Sequence, residues 1–280
     1  MKIAIAGAFG KLGSQILEEA IKNGHEVIAL DLHEGEISNK NYTFYSIDVT
    51  NKESLKGKLK GVDVLISTVG LTSKSATLTN YDIDYKGNLN LLVEALTADV
   101  KKFVYISVVR CDESTNIPML HSKYLFETAL KASEIDYMIL RPTGYFYDIV
   151  KVFKPMILKG EVSLLGKKDY KCNVVKTSDF ARFIMNHLDD CNITYTIGGK
   201  ETYTYKEIAN MCAEAYGKEI KFKYAPKWLF SILAILPKNK KNGSSAIIRF
   251  SKFNLTHDMI GTTICGDSSF KEYIEESFGD

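Results

Sequence analysis

The sequence predicts an α/β protein built on a doubly wound parallel sheet. Up to Pro142, short apolar runs alternate with segments of helical periodicity, which is typical of parallel strands joined by crossover helices. The runs are continuously apolar, as expected of strands that are buried on both faces. A glycine-rich segment, residues 7–13, joins the first run to the first helical segment. Together these observations favour a sheet with helices packed on both sides.

Six apolar runs are predicted to be strands of this sheet. Each run is short and ends at a polar or glycine-containing segment, and the last ends at Pro142. They lie at residues 2–6, 27–30, 42–46, 62–67, 103–107 and 136–141.

Four helices are predicted between these strands, at residues 12–23, 51–60, 81–97 and 118–133. The first carries an amphipathic stripe that begins at Leu12, and Gly24 ends it where a left-handed cap is preferred. Pro118 opens the fourth helix, where proline is tolerated in the first turn. The apolar face of the third helix is expected to consist of Leu89, Leu92, Val93 and Leu96.

After Pro142 the pattern is less regular, and a smaller C-terminal lobe is predicted. Helices are expected at residues 177–189 and 204–216, a strand at 195–199 and an edge strand at 222–224. No linker separates this part of the chain from the rest. We therefore expect residues 143–280 to cover the carboxyl ends of the strands without forming an independent domain.

The composition excludes several classes of protein. Of the 280 residues, 45% are hydrophobic and 25% are charged, which rules out disorder, collagen-like repeats and coiled coil. Lys and Arg total 36 against 34 Asp and Glu, so the chain has no overall positive electrostatic potential that would attract a nucleic-acid backbone. The five Cys include no CxxC pair, so neither a disulfide framework nor a metal site is predicted. A reducing, cytoplasmic compartment is expected.

No targeting segment is predicted, and one apolar stretch needs a separate explanation. Residues 228–236 (WLFSILAIL) are too few to cross a bilayer, since a spanning helix needs about 20 residues. A buried or interfacial helix is expected. Peripheral contact with a membrane surface is the alternative, because Lys238, Lys240 and Lys241 follow directly.

Gly7, Gly10 and Gly13 predict a dinucleotide-binding loop between the first strand and the first helix. One glycine turns the chain, one lets backbone N–H groups approach a pyrophosphate, and one lets the helix pack closely on the sheet. The helix N-terminus then offers free N–H groups and a positive dipole end to the anion. Within the same loop the predicted cofactor-binding residues include Phe9, Lys11 and Leu12.

Asp31 predicts NAD as the cofactor, with NADP as the alternative. It lies at the end of the second strand, where a carboxylate accepts hydrogen bonds from the adenosine ribose and repels a 2′-phosphate. A simpler role for Asp31 would be to cap the loop. Five further residues are assigned to the cofactor from their positions after the third and fourth strands: Asp48, Val49, Thr68, Val69 and Gly70.

Several segments together resemble the extended and atypical short-chain dehydrogenase/reductases, particularly the NmrA-like, NAD(P)H-binding branch. They are IAGAFGKLGSQ, DYKGNLNLLVEAL, KKFVYISVV, HSKYLFETALKASEIDYMILRPTGYF, VVKTSDFARFI and YTIGGKETYTYKEIANM, within about residues 1–215. The resemblance implies a Rossmann fold, with residues 1–142 as the NAD(P)-binding domain and residues 143–280 as a substrate-binding lobe.

The resemblance also implies a catalytic relay of Ser, Tyr and Lys, of which only part is present. Lys123 matches the lysine and Ser107 the serine, so these two residues are the predicted catalytic pair. Met119 stands four residues before Lys123, in place of the tyrosine, and cannot transfer a proton. Substitute acids by residue type are His121, Tyr124 and Tyr145.

Other site residues follow from the same resemblance. Asn88 matches a helix asparagine near the active site, and the residues from Pro142 to Gly144 match a loop at the nicotinamide end of the cofactor. Three aromatic residues that come next, Tyr145, Phe146 and Tyr147, are predicted to line the substrate pocket, with a purely structural core as the alternative.

The predicted function is that of an NAD(P)-dependent oxidoreductase acting on a small organic substrate. A non-catalytic dinucleotide sensor that works through a protein partner is one alternative, which Met119 favours. A nucleotide-sugar epimerase or dehydratase is another, against which the missing tyrosine counts.

Overall fold

The structure is a computed structural model that describes residues 1–237 and 243–278, and strands and helices alternate along most of it. Strands β1–β12 are Lys2–Ala6, Glu26–Asp31, Thr43–Ser46, Val64–Ser67, Lys102–Ile106, Asp136–Pro142, Glu161–Leu165, Lys171–Cys172, Ile193–Gly198, Tyr203–Thr204, Lys221–Ala225 and Thr263–Ile264. Helices α1–α10 are Lys11–Lys22, Lys52–Leu55, Asn88–Thr97, Pro118–Lys131, Phe146–Leu158, Thr177–Asn186, Tyr205–Ala215, Lys227–Ile235, Ser244–Asn254 and Phe270–Phe278. A π-helix, Tyr81–Gly87, leads directly into α3.

The main sheet has eight strands in the order β12-β9-β6-β5-β4-β1-β2-β3. The central strand β1 is parallel to both of its neighbours, with Ile3 aligned to Val27 in β2 and to Val64 in β4. The order reverses at β1, so chain segments leave the sheet in both directions from this point. The predicted doubly wound parallel fold is confirmed.

Most predicted strands begin and end within two residues of the observed ones, but the second helix is much shorter than predicted. It covers only Lys52–Leu55, where the prediction extended to residue 60. Gly57 takes a left-handed conformation with φ of 73°. The N–H group of Gly57 donates to Glu94 Oε1 (2.7 Å), which fixes a turn where the helix would have continued.

The predicted apolar face of α3 is wrong. The helix buries Asn88, Leu91, Leu92 and Ala95, whereas Val93 and Leu96 are exposed. The π-helix that precedes α3 has a wider turn than an α-helix, and it shifts the phase at which the following residues meet the sheet. Leu92 is therefore the one residue of α3 that is shared by the predicted and observed buried faces.

The chain divides into two compact units. The first comprises residues 1–72, 77–141 and 180–195, and the second comprises residues 73–76, 142–179 and 196–280. In the first unit, side chains from β2, β4 and β5 pack with α3 and α4 in a continuous core that includes Leu30, Leu65, Phe103, Leu92 and Phe126. The predicted division at Pro142 into two functional parts stays a prediction.

The second unit contains two small sheets and a core of aromatic side chains. Strands β7 and β11 pair in parallel, with Phe222 aligned to Val162, so the predicted edge strand is confirmed. Strands β8 and β10 pair in antiparallel fashion. Phe146 packs against Phe270 and Tyr273, with ring centroids 4.7 and 5.3 Å away.

Within the described parts of the chain, every helix is too short or too polar to pass through a lipid bilayer.

Candidate functional site

Two of the three loop glycines are required by the fold itself. Gly7 has φ of 79°, and a Cβ there would lie 2.5 Å from Thr68 Oγ1. A Cβ at Gly13 would overlap the carbonyl oxygen of Gly7, because α1 crosses the loop at close range. The loop is therefore a tight turn with a helix packed directly on it.

Gly10 differs from Gly7 and Gly13 because an added Cβ there would meet only one close atom and no severe overlap. Its φ is −68°, it is exposed, and the nearest atom to an added Cβ would be Gly7 O at 3.3 Å. Gly10 is the N-cap of α1, which has no side-chain cap and no acidic residue in its first turn. The free N–H groups of this turn and the positive end of the helix dipole fit a pyrophosphate. Lys11 is exposed in the same turn, and Leu12 is buried beneath it.

Asp31 fixes the glycine-rich loop from the end of β2. Its Oδ2 accepts a hydrogen bond from Phe9 N (2.9 Å), and its Oδ1 accepts one from Leu32 N (2.8 Å). A carboxylate has about four acceptor sites, so capacity remains for the hydroxyl groups of a ribose. The Phe9 ring meets Tyr42 and Phe44 edge to face at 5.9 and 5.7 Å.

The residues after β3 and β4 support the loop or border it. Asp48 Oδ1 accepts from Thr50 N (2.9 Å) and thereby holds the turn after β3. Val49 packs directly against Gly87, where a Cβ would lie only 2.8 Å from Val49 Cγ2. Thr68 Oγ1 lies 3.1 Å from Ala6 O and 3.0 Å from Gly7 O, directly behind the glycine turn. Beyond Thr68 the chain continues through Val69, which packs against the core.

Lys123 forms a buried ion pair that the sequence analysis did not predict. Its Nζ lies 3.1 Å from Asp84 Oδ1, and the two side chains are 11% and 1% exposed. The same ammonium group donates to Ile106 O (3.2 Å) at the end of β5. It also lies 3.2 Å from the position of a Cβ on Gly70, so the pair directly borders the backbone after β4.

A buried hydroxyl without a hydrogen-bond partner in the described chain lies beside this lysine. Asp84 Oδ1 has the ammonium group of Lys123 as its ion-pair partner, whereas the buried Tyr105 Oη has no hydrogen-bond partner among the described residues. Lys123 Nζ lies 5.2 Å from the centroid of the Tyr105 ring. Burial, together with the charges of Asp84 and Glu127, raises the pKa of Tyr105 well above its ordinary value. Buried unsatisfied groups are rare in native proteins, so the Tyr105 hydroxyl is a candidate contact for a water molecule, an ion or a ligand.

Asn88 connects the end of β4 to the π-helix. Its Oδ1 accepts from Ser67 Oγ (2.5 Å), and its Nδ2 donates to Asp84 O (3.0 Å) and Val69 O (3.3 Å). Asn88 is fully buried. The asparagine therefore positions the Asp84 backbone and the strand end together, as an internal support of the site.

Ser107 belongs to a second buried polar network. Its hydroxyl donates to Glu127 Oε1 (2.5 Å), and Arg141 binds both oxygens of Glu127 at 2.9 and 2.7 Å. Burial pushes the pKa of Glu127 upward, but the hydrogen bonds from Arg141 and Ser107 outweigh it and lower the pKa overall. The Cys111 thiol also donates to Glu127 (3.1 Å), and burial raises the pKa of Cys111 to about 12. The proton of Ser107 is thus directed at Glu127.

The remaining candidates on α4 have different surroundings. Met119 is buried, one turn before Lys123, and carries no titratable group. His121 is half-buried, and Tyr124 is 39% exposed. The structure therefore brings Lys123 to the strand ends together with Asp84, while the helix position of the expected tyrosine is filled by an apolar side chain.

The residues after β6 lie in the second unit. Pro142 ends the strand, the Thr143 hydroxyl donates to Asn173 O (2.7 Å), and Gly144 has φ of 144°. The rings of Tyr145 and Tyr147 stack with centroids 5.5 Å apart. Burial is the main cause that raises the pKa of both tyrosines. Phe146 lies in the aromatic core described above, and the assignment of the three rings to a substrate stays a prediction.

Asp84, Glu127 and Arg141 are the residues that sequence reasoning missed. Glu127 lies one helical turn after Lys123, on the same face of α4, and that spacing would have been a usable signal. Asp84 gave no comparable signal, because its partner is distant in sequence.

The family model described as the NmrA-like family matches residues 1–277. The photosystem II assembly factor Ycf39 of Trieres chinensis is 27% identical over 245 residues, which cover 84% of this chain and 75% of that protein. The chloroplastic divinyl chlorophyllide a 8-vinyl-reductase of Arabidopsis thaliana is 27% identical over 258 residues, which cover 81% of this chain and 60% of that protein.

Among solved structures, the triphenylmethane reductase of Citrobacter sp. superposes with a TM-score of 0.78 at 20% identity and covers 100% of both chains. A second structure of that reductase is a complex with NADP(H), with a TM-score of 0.72, 20% identity and coverage of 99% of each chain. This likeness concerns the fold.

Proposed function

The chain belongs to the NmrA-like family, and we propose on that basis that it is an NAD(H)-dependent oxidoreductase acting on a small organic substrate. Gly7, Gly10 and Gly13 would hold the pyrophosphate at the N-terminus of α1, and Asp31 would hold the adenosine ribose. When bound, the nicotinamide supplies hydride chemistry, while the protein orients the reactants and excludes water.

The observation that carries the enzyme proposal is the ammonium group of Lys123 beside the chain after β4. Asp84 compensates its charge, and Ile106 O fixes its direction. In the proposed reaction, Lys123 binds the nicotinamide ribose and stabilises negative charge on the substrate, or donates a proton to it. Asp84 acts as a positioning residue for Lys123. Met119 takes no part in proton transfer.

NAD is proposed over NADP from the charges around the end of β2. Asp31 stands where a 2′-phosphate would approach, and Glu34 and Glu36 follow in the exposed segment after it. Like charges at this position would weaken the binding of NADP relative to NAD.

A non-catalytic dinucleotide sensor is the second candidate, and a specific observation favours it. The Ser107 hydroxyl donates to Glu127, and Met119 replaces the tyrosine, so two of the three relay groups are unavailable for proton transfer. Several relatives are named as assembly factors, including the Ycf39 proteins of Trieres chinensis and Synechocystis.

Turnover of NADH by variants on α4 distinguishes the two candidates. The wild type is assayed by NADH absorbance against a panel of quinones and triphenylmethane dyes, and NADH affinity is measured in parallel. For an oxidoreductase, Lys123→Ala lowers turnover by about 10²–10⁴-fold. Met119→Ala serves as the control on the same helix and leaves turnover within a few-fold.

Two outcomes would contradict the enzyme. Turnover by Lys123→Ala equal to that of wild type would remove this lysine from the mechanism. NADH binding without oxidation by any acceptor in the panel would favour the sensor.

A further inference from the structure

Helix α8, Lys227–Ile235, is apolar and yet mostly exposed. Of its nine residues only Ala234 is buried. The exposed fractions of the large side chains are 62% for Trp228, 45% for Ile232 and 52% for Ile235. A buried or interfacial helix was expected at residues 228–236; the buried position is wrong for this segment, and an interfacial position stays a prediction.

The exposed apolar side chains lie on one side of the helix. At about 100° per residue, Trp228, Ile232 and Ile235 lie within about 60° of one another around the helix axis, and Leu229 and Leu236 lie beside them. Together they span an arc of about 120°, the width of an ordinary apolar helix face. On the opposite side Ala234 is buried, and Lys252 in α9 donates to Ser231 Oγ (2.6 Å) at the edge of the apolar face.

In sequence, the charged residues that flank this helix all carry positive charge. Residues 220–257 contain eight Lys or Arg and no Asp or Glu, although the whole chain has a net charge of only +2. The cations lie at the start of α8 and on both sides of it in sequence: Lys221, Lys223, Lys227, Lys238, Lys240, Lys241, Arg249 and Lys252, of which Lys238, Lys240 and Lys241 lie outside the residues that the structure describes. Lys223 pairs with Glu161 of β7 (2.6 Å), which lies outside the segment. Such a segment is complementary to a negatively charged surface.

We propose that α8 docks onto the surface of an anionic lipid bilayer. An exposed apolar helix face with tryptophan, flanked by basic residues, is the pattern of helices that lie in the interface plane. Nine residues extend about 13 Å, so the helix lies along the surface and does not cross it. The apolar face enters the headgroup region, and the lysines bind lipid phosphate and carboxylate groups.

Trp228 makes this proposal directly measurable, because it is the only tryptophan in the chain. The full-length protein is titrated with vesicles of phosphatidylcholine containing about one third phosphatidylserine, and with pure phosphatidylcholine vesicles. We expect tryptophan emission to shift to the blue and the protein to float with the anionic vesicles only. Lipids brominated near the headgroup should quench the emission.

Two sets of variants separate the apolar and the electrostatic contributions. Ile232→Ser with Ile235→Ser should lower the partition coefficient at least tenfold. Val152→Ser, at a residue 54% exposed on α5, is the matched control and should change nothing. Replacing Lys238, Lys240 and Lys241 by Gln should lower binding by about 100-fold, whereas the same change at the exposed Lys56, Lys60 and Lys101 should not.

Three results would overturn membrane docking. One is unchanged tryptophan emission with anionic vesicles, and another is equal binding to neutral vesicles. The third is a blue shift that appears with protein concentration alone, which sedimentation would identify as self-association through α8.

Discussion

At the residue scale, Asp31 has two roles that a single substitution separates. Its carboxylate caps the glycine-rich loop through Phe9 N and also places a negative charge at the end of β2. Asp31→Asn keeps an oxygen acceptor but removes the charge. We expect the wild type to bind NADH more tightly than NADPH, and the variant to improve NADPH binding about tenfold relative to NADH.

Calorimetric titration with both dinucleotides measures this ratio. Asp63→Asn is the matched control, because Asp63 accepts from a backbone N–H group, that of Lys2 (2.7 Å), before β4 begins. The control should leave the ratio unchanged. The same NADH preference in Asp31→Asn and wild type would remove Asp31 from cofactor selection.

Glu127 predicts a pH-dependent contribution to stability. Its hydrogen bonds with Arg141 and Ser107 lower its pKa in the folded state. A lowered carboxyl pKa stabilises the protein above the unfolded value of about 4.3, and this contribution is lost as the pH falls through the folded value. Glu127→Gln should therefore cost about 3–5 kcal/mol of unfolding free energy at neutral pH, and less in acid.

Urea unfolding across this pH range tests the sign of the effect. The gap between wild type and Glu127→Gln should narrow as the pH falls below about 4.3. Glu113→Gln is the control, because Glu113 is largely exposed and pairs with Arg110 at the surface, and it should cost under about 1 kcal/mol. A gap that stays constant or widens in acid would show that the pKa of Glu127 is not lowered by folding.

At the element scale, the junction of the π-helix with α3 depends on Asn88. Replacing it by Leu leaves Ser67 Oγ and the carbonyl of Asp84 without their buried partner. Each unsatisfied group costs about 1–3 kcal/mol, so we expect the two groups together to cost about 2–6 kcal/mol in urea unfolding. Asn90→Ala is the control on the same helix. It removes one half-buried hydrogen bond, from Asn90 Nδ2 to Val49 O, and should cost about 1 kcal/mol. Equal losses would place the support of this junction elsewhere.

The elements that could be predicted from sequence are those whose burial follows a simple rule. Strands buried on both faces are continuous apolar runs, so β1 to β6 were located closely. The stripe of α1 and the left-handed Gly24 were predicted correctly for the same reason. The face of α3 was not, because the π-helix changes the phase, and Gly87 packing against Val49 is a long-range contact.

At the scale of the whole molecule, the site combines residues that could be predicted from the sequence with partner residues that are identified only by their contacts in the folded structure. Lys123 was a candidate from sequence, whereas its partner Asp84 lies 39 residues earlier in the chain. A local periodicity in the sequence cannot predict a contact between residues that far apart. Similarly, the chain enters the second unit at Pro142 but comes back to the first unit for residues 180–195. The change of sequence pattern after Pro142 did not predict that residues 180–195 rejoin the first unit.

The whole molecule also distributes its charge unevenly. Residues 220–257 carry eight positive charges, so the remaining chain carries a net charge of −6. The overall value of +2 therefore conceals a basic segment beside the exposed α8. The overall composition argued against a positive electrostatic potential over the whole surface, but it did not show that positive charge is concentrated in residues 220–257.

The most direct test of dinucleotide binding through the glycine-rich loop is a calorimetric titration of wild type and Gly10→Val with NADH. A Cβ at Gly10 would lie 3.3 Å from Gly7 O, a close contact that a shift of a few tenths of an ångström relieves, so the variant should stay folded and lose about 1–2 kcal/mol in urea unfolding. A branched side chain would nevertheless keep a pyrophosphate away from the N-terminus of α1. We predict that NADH affinity falls more than tenfold, while equal affinities in two folded proteins would contradict cofactor binding at this loop.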